Sequence, residues 1–242
     1  MAMKKDTHGV RGRRPARGPG RPAAVDGDTD GGGPRERLLD AATLLFSRHG
    51  VAGTPIKAIA AEAGVTPALV HYYFRDRDQL LDAVVDERLQ PLVEQVFPSM
   101  PTETGAAASG AAPARGPGPD VVTMMTGLAA QLIRVAAATP WLPGLWIREI
   151  VGAEGQLRER VVQRIALRRG ALVTGVIAAA RERGELNPAL EPALVMVSLI
   201  GLTLLPLATT HIWRGLPGAE AIDTDTLVRH VSALLSRGLA PG

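Results

Sequence analysis

The side chains best equipped for chemistry stand in one short stretch, Thr66-Pro67-Ala68-Leu69-Val70-His71-Tyr72-Tyr73-Phe74. Tyr72 and Tyr73 are the only tyrosines in 242 residues, and His71 shares their helical turn. A rotation of roughly 100° per residue sets Leu69, Val70 and Phe74 on one side of a helix. Pro67, Ala68, His71 and Tyr72 fall on the other side, with Tyr73 near the inner edge. Exposed phenol and imidazole groups reach phosphates and base edges, and Pro67 and Ala68 can pack against thymine methyls. This is the chemistry of recognising duplex DNA without altering it. The other use for the same rings is to cap a small core.

Three further elements must hold such a helix in place. Leu38, Leu39, Ala42, Leu45 and Phe46 form one face of a first helix that stops at Gly50. Thr54-Pro55 opens a short second helix with Ile56, Ile59, Ala60 and Ala63 turned inward, Gly64 makes a turn, and Thr66-Pro67 opens the third. Each opening pairs a threonine hydroxyl, expected to cap free backbone N–H groups, with a proline whose missing N–H costs nothing there. Asp76-x-x-Gln79 has the form of a capping box and opens a fourth helix toward Phe97. Two short helices joined by a tight glycine turn and braced by a first are helix-turn-helix geometry.

The rest of the chain offers little for catalysis. Cysteine is absent, which excludes disulfides, thiolate metal sites and a cysteine nucleophile. None of the six serines lies in a G-x-S-x-G turn, and no H-E-x-x-H or phosphate-loop string occurs. His8, His49, His71, His211 and His230 are too scattered to make a helix-spaced ligand pair. Residues 18–23 fit a dinucleotide fingerprint by letters but follow no strand, and Glu182 and Glu185 are placed as solvated helix-end charges. No enzyme activity, cofactor or metal is expected.

Charge and composition divide the chain. Residues 1–21 carry seven basic side chains, Lys4, Lys5, Arg11, Arg13, Arg14, Arg17 and Arg21, against Asp6 alone, while the whole chain is only +3. The basicity belongs to a tail, and an anionic partner such as nucleic acid is expected for it. Segment 1–33 is too poor in large apolar residues to offset its ordering entropy and is expected to be disordered. Residues 98–119, mostly Pro, Gly and Ala, form a linker or long loop. Domains are therefore expected at 34–97 and 120–242, both with helical periodicity and with no repeat or convincing strand. In the second, helices are expected at about 120–138, 141–152, 156–183, 188–213 and 224–237, with Gly184 and Asn187-Pro188 marking the break between the third and fourth. Residues 192–210 carry no charge over 19 positions. The polar Ser198, Thr203, Thr209 and Thr210 favour a buried helix there over a membrane span. With no apolar leader at the start, a cytoplasmic, nucleoid-associated protein is expected.

The pattern Phe46, Gly50, Thr54, Ile59-Ala60, Ala63-Gly64-Val65-Thr66, Tyr73-Phe74, Arg77 and Leu80 closely resembles the DNA-binding domain of the TetR/AcrR repressors over about 47 residues. The resemblance implies an all-α chain with an N-terminal three-helix helix-turn-helix domain and a C-terminal helical ligand-binding and dimerisation domain. It implies that Thr54 bonds a phosphate through its hydroxyl or amide, and that Lys57 leans toward phosphate or a base edge. Thr66, Pro67, Ala68, His71 and Tyr72 would enter the major groove, with Tyr73 nearer the backbone. Arg77 would hold a phosphate where the family usually has lysine, and His71 replaces the more usual tyrosine. Since Pro67 and Ala68 cannot hydrogen-bond through their side chains, direct base reading is sparse.

The same resemblance implies a homodimer built on the last two long helices, about 188–213 and 224–237. Leu194, Val197, Leu204, Leu227, Val231 and Leu234 could pair there as a four-helix interface. Two reading heads about one DNA turn apart imply a near-palindromic double-stranded operator. Met124, Met125, Leu128, Leu132, Trp141 and Trp146 make an adaptable apolar wall for a small-molecule effector, or plain core filling. Arg148-Glu149 suits either the pocket or an ion pair. The basic tail weakly resembles Arg-Gly-Pro arms that enter the minor groove. These features point to a ligand-responsive regulator, most simply a repressor, whose effector shifts the population away from the DNA-binding spacing. The alternatives are an architectural DNA-binding protein without an effector and, remotely, a helical enzyme or carrier.

Overall fold

The structure, a computed structural model, describes residues 32–97 and 120–241. The expectations for the basic tail and for 98–119 lie outside the described residues. All regular structure among the described residues is helical. Helices α1 (Pro34–His49), α2 (Ile56–Glu62) and α3 (Pro67–Tyr73) form the head. Helix α4 spans 77–96, running from Arg77–Val84 through a π-helical turn at Val85–Leu89 into Gln90–Val96. Next come α5 (Val121–Ala138) and α6 (141–151), whose second half, Trp146–Val151, is π-helical. Helix α7 (158–182) has its own π-helical turn at Val162–Ala166. Helices α8 (Pro192–Ala208), α9 (Thr210–Trp213) and α10 (Thr224–Leu239) complete the body.

Local signals explain most boundaries. Pro34 sits in the first turn of α1, Glu36 shares that turn, and Arg48 and His49 lie in the last, each sign suited to its end of the helix dipole. Gly64 takes φ +66° between α2 and α3, a left-handed conformation that glycine adopts without steric cost. Asp76 caps α4 by accepting from the Gln79 N–H at 2.9 Å. The returning Gln79 side chain accepts from the Arg75 N–H at 3.0 Å, one residue earlier than in the reciprocal box.

The threonine caps are corrected. Thr66 occupies the N-cap of α3 without a side-chain bond, and Pro55 rather than Thr54 precedes α2. The long helix expected at 188–213 is also shorter. Asn187 accepts from the Ala189 N–H in a local turn and takes its own N–H to the Leu239 carbonyl, so α8 starts only at Pro192. It stops at Thr209, where the Trp213 indole N–H reaches back to the Pro206 carbonyl at 2.7 Å.

One apolar core runs from the head into the body without a gap. Leu38, Leu39, Phe46, Ile59, Val70 and Leu80 pack continuously with Leu142, Leu145, Leu157, Ile165 and Leu204. A second core joins α5, α7, α8 and α10 through Met125, Ala129, Ile133, Val173, Ile177, Leu199 and Val231. Leu227, Val231, Leu235 and Leu239, four residues apart, form the stripe by which α10 lies against α5. Helix α5 is long and apolar enough to cross a membrane, but Met125, Ala129 and Ile133 are spent on this packing.

Guanidinium groups tie α4 to its neighbours. Arg35 pairs with Glu87, and Arg88 with Glu36 and Asp40, which fasten α1 to α4. Asp78, Asp82 and Asp86, one helical turn apart on α4, face Arg160 and Arg164 of α7. Arg160 meets Asp78 at 2.6 Å and Asp82 at 2.8 Å, and Arg164 meets Asp82 at 3.0 Å and Asp86 at 2.7 Å. Burial by itself would raise the Asp82 carboxyl, but hydrogen bonds from Arg160 and Arg164 outweigh it and hold the group below its ordinary range. The Arg35 hydrogen bond does the same for Glu87, against a smaller burial effect. Both carboxyls bind protons less readily in the folded than in the unfolded chain. Their stabilisation is therefore complete above the ordinary carboxylate range and is lost as pH falls through the lowered folded values. The melting temperature should drop as pH is taken from about 5 to about 3, and the double variant Arg160→Gln/Arg164→Gln should flatten that drop. An identical acid limb in the variant would rule out the aspartate stripe as its source.

Candidate nucleic-acid interface

Helix α3 presents one face to solvent. Thr66, Pro67, Ala68, His71 and Tyr72 are exposed, Tyr72 to 79%, while Val70 and Phe74 are buried beneath them. Tyr73 is half-buried on the head core and meets Tyr72 edge to face, ring centroids 5.1 Å apart. Arg35 lies 5.3 Å over the Phe74 ring and closes the inner side. Lys57 is exposed on the neighbouring α2. The surface combines a phenol, an imidazole, a hydroxyl and a primary amine with two small apolar contacts, a set suited to phosphates and groove edges. Arg75, exposed directly after α3, is a further cation that helical periodicity passed over because it lies beyond the helix end.

Two expected phosphate ligands are turned inward. Thr54 is buried; its hydroxyl donates to the Gly50 carbonyl at 2.7 Å and its N–H to the Val51 carbonyl at 3.1 Å. Arg77 is half-buried and donates to the Thr54 carbonyl at 3.0 Å and to the Val51 carbonyl. Their correction has one physical cause. The loop joining α1 to α2 is covered on the inside, and its backbone carbonyls need donors that water does not supply there.

The remaining partner of this loop comes from the body. Glu149 of α6 is 4% exposed, and it is the only buried ionisable side chain among the described residues. One carboxylate oxygen accepts from the Val51 N–H at 2.8 Å and the other from the Gln156 N–H at 2.9 Å. Gly50 permits the approach. Its φ is +76°, and a β-carbon there would stand 3.1 Å from the same Glu149 oxygen and 3.2 Å from Arg148 Cδ. Arg148-Glu149 is thus neither a pocket wall nor an internal ion pair, since Glu149 is a bridge between head and body.

A cavity of about 140 Å³ lies behind the head. Leu89, Leu92, Val93, Val96 and Phe97 of α4 and its end line one side, and Leu128, Leu132 and Val135 of α5 another. Leu142 and Trp146 of α6, Val161, Ile165, Arg169 and Gly170 of α7, and Met196, Leu199, Ile200 and Leu204 of α8 complete it. Of the expected wall, Leu128, Leu132 and Trp146 border this space. Met124 and Met125 turn instead into the second core, and Trp141 packs on the first. Met124 and Met125 share the side of α5 that carries Leu128 and Leu132 but stand about a turn nearer its start, while Trp141 lies on another side of α6 from Trp146.

The expected dimer surface divides in the same way. Leu194, Val197 and Leu234 are exposed, Leu194 to 58% and Val197 to 63%, but Leu204, Leu227 and Val231 are buried in the chain's own cores. Leu205, 51% exposed, continues the α8 face one turn beyond the exposed Gly201.

A braced helix-turn-helix with an open third helix, joined to a helical body, defines a class of DNA-binding regulators. Residues 38–84 match the family of bacterial regulatory proteins, tetR family. Over residues 38–84 the chain is similar to that family. It is 39% identical over 62 residues to the HTH-type nicotine-responsive transcriptional repressor HdnoR of Paenarthrobacter nicotinovorans, a match covering 26% of this chain and 32% of that protein. The chain thus matches about a third of the length of that curated relative. In fold it is similar to the transcriptional regulator SCO4942 of Streptomyces coelicolor, with a TM-score of 0.61 and 19% identity over 87% of this chain and 100% of that one. It is similar also to the ketosteroid transcriptional regulator KstR2 of Mycobacterium tuberculosis, with a TM-score of 0.60 and 16% identity over 90% and 100%.

Replacing Glu149 by Ala should orphan the buried Val51 N–H and cost about 1–3 kcal/mol from that group alone. Urea denaturation of the full chain measures it. A loss within experimental error would mean that the loop finds another acceptor and that Glu149 does not hold the head.

Proposed function

We propose that the chain is a ligand-responsive transcriptional regulator, a repressor, that binds a near-palindromic DNA operator as a homodimer in the cytoplasm. The observation that carries this reading is the exposed face of α3, Thr66, Pro67, Ala68, His71 and Tyr72, backed by the buried Val70 and Phe74. Lys57 and Arg75 flank it as phosphate partners, and Tyr73 serves the backbone side. Thr54 and Arg77 act from behind, holding the α1–α2 loop. The nicotine-responsive HdnoR and the ketosteroid regulator KstR2 support an effector that is small and largely apolar. The apolar cavity suits such a molecule.

The exposed apolar face of α8 and α10, with Leu194, Val197, Leu205 and Leu234, supports pairing of two copies. Effector in the cavity acts on α4 and α6, which carry Arg77 and Glu149 to the reading head. Occupancy favours an arrangement of the two heads that no longer spans both half-sites.

Selection of genomic fragments by the purified protein at near-physiological salt tests this directly. A recovered palindrome supports the reading, whereas random fragments would favour an architectural protein. On a recovered operator, Tyr72→Ala or His71→Ala should lower affinity by roughly tenfold, the effect of losing a groove contact of about 1–3 kcal/mol. Lys57→Ala should weaken all sequences alike and reduce the log–log salt slope by roughly 0.9. Val197→Glu should convert a dimer to a monomer in analytical ultracentrifugation, and retention of the dimer would place the interface elsewhere.

A further inference from the structure

Five helices meet around the cavity of about 140 Å³, and the surface they turn toward it is apolar almost throughout. Leucine, valine and isoleucine dominate the wall, with Met196 and the rings of Phe97 and Trp146 among them. Arg169, the charged residue at the border, turns scarcely any polar surface inward. Backbone N–H and C=O groups in these helices are spent on their own ladders. Among the described residues no buried side-chain nitrogen or oxygen lacks a hydrogen-bond partner, so none is held in reserve for a ligand. Such a space discriminates by what it cannot satisfy. Water is held only where it finds about three polar partners, and a ligand hydroxyl or carboxylate would give up its own hydration there without replacement. A hydrocarbon gives up nothing of the kind and gains from every part of its surface that leaves water.

We infer that the cavity takes an uncharged monocyclic hydrocarbon of the size of benzene or toluene, and rejects hydroxylated or ionised molecules of the same shape. Volume sets the size, since a cavity of roughly 150 Å³ accommodates benzene. Ring character follows from Phe97 and Trp146, because aromatic pairs gain contact energy beyond their buried area. The inference deepens the regulator reading by naming the class of effector, and rests on that reading for its consequence, though not for the binding itself.

Calorimetric titration of the full chain in sealed cells with toluene, phenol, benzoate and naphthalene tests it. Toluene should bind once per chain and at least about tenfold more tightly than phenol, its match in heavy atoms, or benzoate. Naphthalene, more apolar but a ring larger, should bind more weakly than toluene, whereas a merely greasy surface would give the reverse order. Gly170 lies in the wall, and among the described residues a β-carbon there has no heavy atom within 4 Å, so a leucine can extend from it without a clash. Gly170→Leu should weaken toluene binding by roughly tenfold or more, as burial of the ring is lost. Gly175→Leu, on an exposed stretch of the same helix, should leave it unchanged. Should Gly170→Leu melt at a lower temperature, Leu132→Phe narrows the same space from α5 and carries the comparison. No binding of toluene, phenol or naphthalene binding as tightly as toluene, or toluene binding indifferent to both narrowing variants would overturn the inference. Retention of DNA measured in parallel separates the two readings. Selective DNA retention without toluene binding sinks the hydrocarbon alone, and toluene binding that leaves DNA retention unchanged sinks the effector role while the site stands.

Discussion

The loop between α1 and α2 buries more backbone polar groups than it can satisfy by itself, and the head's position depends on how that shortage is met. Thr54 supplies a hydroxyl to the Gly50 carbonyl. Arg77, from the start of α4, supplies donors to the Val51 and Thr54 carbonyls. The Val51 N–H is left for Glu149, which arrives from the body with its second oxygen already committed to Gln156. A buried carboxylate is tolerated only when such bonds replace its water, so the loop and Glu149 each require the other. The reading helix inherits its place from this arrangement, because α2 and α3 come directly after the loop.

Helices α4, α6 and α7 connect that point to the cavity. Each lines the cavity on one stretch and reaches the head, or the helix that braces it, on another. Each also contains a π-helical turn, at 85–89, 146–151 and 162–166. An extra residue in a turn rotates the C-terminal part of a helix relative to its N-terminal part, and such turns recur at functional sites. In α4 the turn holds Asp86 and Leu89, between Asp78 and Asp82, which face α7, and Leu92, Val93 and Val96, which face the cavity. A change in cavity filling is therefore placed to alter the same helices that carry Arg77, Glu149 and the aspartate stripe.

The body is built from small and medium apolar residues, which let helices approach closely. Ala129, Ala136 and Ala180 are fully buried at helix contacts. Aromatics are only 3% of the chain, and Trp146 and Phe97 are the two rings at the cavity. With large side chains scarce, the space behind the head is left open rather than filled.

The head was legible from the chain alone because its signals are local. Gly50 and Gly64 supply left-handed turns, prolines open helices, Asp76 caps the next one, and the 3.6-residue period sorts Val70 and Phe74 from His71 and Tyr72. The extents of α5, α6, α7 and α10 came from the same kind of pattern. Long-range partners decided the rest. Thr54 and Arg77 have the residue types of phosphate ligands, yet buried carbonyls claim them. Leu204, Leu227 and Val231 have the pattern of an interface, yet the chain's own cores claim them. Met125 and Trp141 look like pocket walls, yet they pack elsewhere. Glu149 differs from its neighbours only in what stands opposite it, the Val51 amide. Periodicity specifies which side of a helix is apolar, but it carries no information about which other helix meets that side.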